Sequence, residues 1–79
     1  MKIILKHDIY PVKNGIAAHS PEIGLTAHGY SAEIAKLNLK RIAVMFLKPF
    51  ERQGELENVI ERLNLKTEKD GTEVTVEVT

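Results

Sequence analysis

A chain of 79 residues without cysteine has room for one domain and one modest core, and it excludes both a disulfide framework and a thiolate metal site. Its 11 Lys and Arg balance 11 Asp and Glu, which argues against a dedicated nucleic-acid binder. No apolar run is long enough for a signal peptide or a membrane span, so the expected address is the cytoplasm.

Lys2 to Tyr10 alternates Ile3, Leu5 and Ile9 as a half-buried strand should, with His7 at the rim, and Pro11 is expected to stop it. Lys13-Asn14-Gly15 is a turn signal, Asn-Gly being suited to positive φ. A second strand is expected over Ile16 to Ser20, a corner over Pro21 to Gly24, and a third strand over Leu25 to His28. The alternation sets Ile16, Ala18, Leu25 and Ala27 on one face, and Ala17, His19, Thr26 and His28 on the other.

Gly29-Tyr30-Ser31 then turns into a long helix beginning at Ala32, with Ser31 as its N-cap. At 3.6 residues per turn, Ile34, Ala35, Leu39, Ile42, Met45 and Phe46 form the stripe expected to cover the sheet, with Asn38 inside it as a buried polar lock. Leu37, Val44 and Leu47 make a second, surplus stripe that needs its own cover. Pro49 is expected to end or kink the helix near Leu47. After Gly54, Leu56, Val59, Ile60 and Leu63 recur at helical spacing, and this short helix is a natural cover for the surplus stripe. Asp70-Gly71 between Leu65–Lys69 and Thr72–Val78 reads as a hairpin turn. The expected architecture of this single domain, 1–79, is α+β. It comprises a three-stranded antiparallel sheet with a C-terminal strand or hairpin beside the first strand, one long helix on one face, and a short helix next to it.

The run from Ile16 to Ser31 resembles the core signature of the HicB-like antitoxin family. Pro21, Glu22 and Ile23 match its strand corner, Gly29 and Ser31 its turn, and Ala35 and Asn38 its helix. The Pro-Gly-Cys sometimes found after the corner is missing, Tyr30 replaces an acidic turn residue and Ile34 a helix glutamate. The resemblance implies a partial RNase H-like fold without catalytic carboxylates, which neutralises a small HicA-like mRNA-cleaving toxin. Many members carry a C-terminal DNA-binding domain; the sequence after the hairpin has no counterpart, so direct DNA binding is not carried over.

Chemistry beyond binding finds little material. No phosphate loop, nucleophile beside a base, or pair of carboxylates stands out, so neither catalysis nor a cofactor is expected. His19 and His28 share a face, and Asp8 is the one convenient third ligand for a metal. Two histidines on an exposed sheet face more often meet a partner or solvent. Glu22, at a corner, is better placed to accept from backbone donors than to act as a base. The expected partner-binding residues are therefore His19, Glu22, Thr26, His28 and Tyr30, and the expected partner is a ribonuclease toxin. The surplus helical stripe and the valine-bearing terminal strand add the expectation of a homodimer. The competing reading is an orphan dimeric binding or regulatory module of the same fold.

Overall fold

The computed structural model describes residues 1–69 and 74–78. The chain is α+β, in the order β1 (Lys2–Leu5), β2 (Asp8–Val12), β3 (Gly15–Ser20), β4 (Leu25–Gly29), α1 (Ala32–Arg52), α2 (Leu56–Leu63), β5 (Lys66–Glu68) and β6 (Thr75–Val78). Two three-stranded sheets result, ordered β2-β3-β4 and β5-β1-β6.

The expected first strand is thus two strands in two sheets. Lys6 and His7 interrupt it, and the Lys6 backbone N–H donates to the Glu22 carboxylate at 2.6 Å instead of joining a ladder. Pro11 does not stop the chain but lies inside β2, opposite Ile16. An edge strand tolerates proline because its missing donor can fall on the unpaired side. The two residues Lys13 and Asn14 connect β2 to β3, with Asn14 at φ 68°. Register sets Ile9, Ala18 and Ala27 in one row across the antiparallel sheet, and Tyr10, Ala17 and His28 in the next.

The terminal strands do not form a hairpin with each other. β1 runs between them, antiparallel to β5 and parallel to β6. Lys2 lies opposite Glu68 on one side and Thr75 on the other. The expected Asp70-Gly71 turn lies outside the described residues. On the outer face Lys2 pairs with Glu77 at 3.6 Å and Glu68 at 4.0 Å, while Ile3, Leu5 and Val76 point inward.

Ser31 caps α1 through its Oγ, which accepts from the Ile34 N–H at 3.2 Å. The helix then continues through Pro49 to Arg52 rather than ending near Leu47. The bond that Pro49 cannot make would go to the Met45 carbonyl, on the water side of the helix, where hydration can replace it. The buried stripe is also rotated from its expected phase: Ala35, Leu39, Ala43 and Leu47 are buried, whereas Met45 is 72% and Ile34 44% exposed. Small residues fix this phase. Ala18, Ala27 and Ala35 make a shallow seat with Leu39, and a Cβ on Gly29 would sit 2.6 Å from the Ala35 nitrogen. Only glycine allows the β4 backbone that close to the helix.

Leu47, assigned to the surplus stripe, instead joins Ile3, Leu5, Ala43, Leu56, Leu65 and Val76 in a second cluster beneath β5-β1-β6. Phe46 and Phe50, edge to face at 5.6 Å between ring centroids, pack on it. So do Val59, Ile60 and Leu63 of α2, which also touches α1. The left-handed Asn64 (φ 54°) then turns the chain into β5. Val44 is partly covered by this cluster, but Leu37, expected beneath α2 or a second copy of the chain, is not covered by α2 and remains 46% exposed. Val78 packs against both clusters and joins the two halves of the core.

Candidate functional site

β3 and β4 are covered by α1 on one face only, which leaves the opposite face of β2-β3-β4 open. Side chains there are dictated by strand parity. Asp8, His19 and Thr26 form one row, and Tyr10, Ala17 and His28 the next. His19 Nδ1 and Thr26 Oγ1 are hydrogen-bonded at 2.8 Å. The hydroxyl donates when that nitrogen is unprotonated and accepts when it carries the proton. Ala17 is fully buried although it faces outward, as expected for a methyl group flanked by the larger Tyr10 and His28. The surface therefore presents imidazole, hydroxyl and phenol groups over a closed floor.

The five candidate residues are not equivalent. His19, Thr26 and His28 share the open face as expected. Glu22 and Tyr30 mark opposite ends of it, β4 between them spanning roughly 13 Å. Tyr30 follows β4 and is 90% exposed. It lines a cleft of about 400 Å³ with Lys13, Asn14, His28, Ile34 and Asn38. Glu22 is half-buried at the corner, engaged with Lys6 N–H, and lines a separate cleft with Ile4, Lys6, Asn64, Leu65 and Lys66. The corner carboxylate thus serves the junction between the sheets, as its turn position suggested, and is less available to a partner than its charge implies. Asn38 donates from Nδ2 to the His28 carbonyl at 2.8 Å, so a helix side chain occupies a backbone acceptor of edge strand β4. Among the described residues, no group of three or more His, Asp or Glu is placed to hold a metal ion.

Sequence reasoning missed Tyr10 and Lys13. The signal for Tyr10 was present in parity: once Pro11 is admitted inside the strand, Tyr10 falls on the face of Ala17 and His28. Lys13 was read only as a turn residue, and its place beside Tyr30 follows from the β2-β3 turn and the β4-α1 junction sharing one end of the sheet. No described helix is long and apolar enough to cross a membrane. Comparison with family models, with curated proteins and with solved structures finds no match to this chain.

Proposed function

We propose that the chain is a HicB-like antitoxin module, whose open β2-β3-β4 face and Tyr30 rim occlude the RNA site of a small ribonuclease toxin. The observation that carries this reading is the one-sided sheet: α1 covers one face, and the other offers His19, Thr26 and His28 around a buried Ala17. A partner could approach such small and weakly charged groups at modest desolvation cost, and Tyr30 is the kind of aromatic anchor that interfaces favour. Asp8, exposed at its edge, adds attraction for a basic RNA-binding protein.

The test is growth rescue from a toxin encoded beside this gene, comparing the wild type with a His28→Glu, Tyr30→Ala variant. Both positions are exposed, so the substitutions are compatible with folding, which circular dichroism would verify. Wild-type rescue lost in the folded variant supports the surface. Equal rescue rejects that surface, and no rescue by the wild type from any adjacent toxin moves the assignment to an orphan module.

A further inference from the structure

The surface of α1 turned away from the sheets carries a pattern that the core does not use and that meets the proposed toxin face only at Ile34, which lines the Tyr30 cleft. Ile34, Leu37, Arg41, Met45, Lys48 and Arg52 follow one another at spacings of three and four, so they form one line along the helix. Ile34, Leu37 and Met45 are half of the large apolar residues exposed on the described surface, gathered on one element. Leu37, Val44 and Met45, with the stems of Lys40 and Arg41, line an almost wholly apolar shallow groove. α1 bears five cations, Lys36, Lys40, Arg41, Lys48 and Arg52, against Glu33 and Glu51, although the whole chain is neutral. Lys48 pairs with Glu51 at 3.4 Å, whereas Lys36, Lys40, Arg41 and Arg52 have no ion pair among the described residues.

We infer that this face docks an acidic amphipathic helix of a partner protein, with apolar residues against Ile34, Leu37 and Met45 and carboxylates against Lys40, Arg41 and Arg52. Charge complementarity selects this occupant. A second copy using the same face across a two-fold axis would bring cationic helix to cationic helix. Nucleic acid would satisfy the cations but leave Leu37 and Met45 against phosphate, without apolar burial. An apolar stripe read at helical spacing, with methionine able to adapt to its neighbour, suits a helix in a groove.

The experiment is selection of displayed helix-forming peptides of about four turns by the full chain, followed by titration of the enriched peptides. The expected motif has apolar residues at i, i+3 or i+4, and i+7, flanked by Asp or Glu. Arg41→Glu, Arg52→Glu should weaken its binding on the order of tenfold and Leu37→Gln, Met45→Gln at least as much, all in folded proteins. Affinity should fall as salt rises. Enrichment of basic or uncharged motifs, no enrichment, or binding unaffected by either double variant overturns the inference. It is equally overturned if light scattering shows a dimer that Leu37→Gln, Met45→Gln dissociates, or if phosphatidylserine vesicles or single-stranded RNA bind this face and exclude the selected peptide.

Discussion

Two side chains at the β3-β4 corner carry opposite consequences for stability. Ser20 is fully buried on the helix side of β3, and its hydroxyl has no hydrogen-bond partner among the described residues. Replacing it with alanine removes an unsatisfied polar group at little cost in volume. Ser20→Ala should therefore raise stability by about 1 kcal/mol, seen as a gain of roughly 4–8 °C in the thermal midpoint of a domain this size. Glu22 works the other way, since its carboxylate holds the Lys6 N–H at the break between β1 and β2. Glu22→Ala should cost about 1–3 kcal/mol in denaturant unfolding, with Glu22→Gln in between because the amide oxygen still accepts. A value within error of zero for Glu22→Ala would show that water serves Lys6 equally well. The sequence announced a corner carboxylate bonded to backbone. It could not announce which backbone group, because that donor lies 16 residues away and is free only where the first strand breaks.

For α1 as an element, the pattern of large apolar residues located the helix but not its rotation. Counting Ile34 and Met45 into the buried stripe, and leaving Ala43 out, weights size over fit. The structure favours fit, since alanines and Gly29 let the helix sit close to β3 and β4. Leu39→Ala should cost about 2–5 kcal/mol, and Met45→Ala close to nothing, by urea titration. Comparable losses for the two would mean that the helix is rotated. Gly29→Ala should be among the most damaging single changes, because the new methyl meets helix backbone at 2.6 Å rather than a side chain that can swing away. The short helix was legible because Leu56, Val59, Ile60 and Leu63 all serve one cluster. Leu37, read as apolar and so in need of cover, shows the limit of that logic: helical spacing says which residues share a face, not whether this chain covers it.

At the scale of the molecule, the α+β class and the sheet-forming core of residues 15–29 were readable from alternation and turn chemistry. The division into two sheets was not. Parity is continuous from Ile3 through Leu5 to Ile9, so nothing local marks the change of partners that follows Lys6. The two halves nevertheless share Val78 and the length of α1, from Ala35 in one cluster to Leu47 in the other. Unfolding should therefore be a single transition, with hydrogen exchange of β1 and β3 reporting the same global free energy. Separate transitions would show that the junction through Val78 and Glu22 is weaker than the packing suggests. Val76→Asp, which places a charge where exposure is 3%, should remove that transition altogether.

The central position of β1 also sets an order of events while the chain is being made. Both of its neighbours are encoded near the other end of the sequence, and β6 leaves the ribosome about 4–15 seconds after β1 at roughly 5–20 residues per second. During that interval β2, β3, β4 and α1 can assemble, while Ile3 and Leu5 wait unpaired until β5 emerges and stay open on the β6 side until the end. A nascent chain halted before Thr75 thus presents a finished scaffold with one sticky end. Ribosome stalling in that window should yield a chaperone or protease substrate, even though most of the secondary structure is already in place.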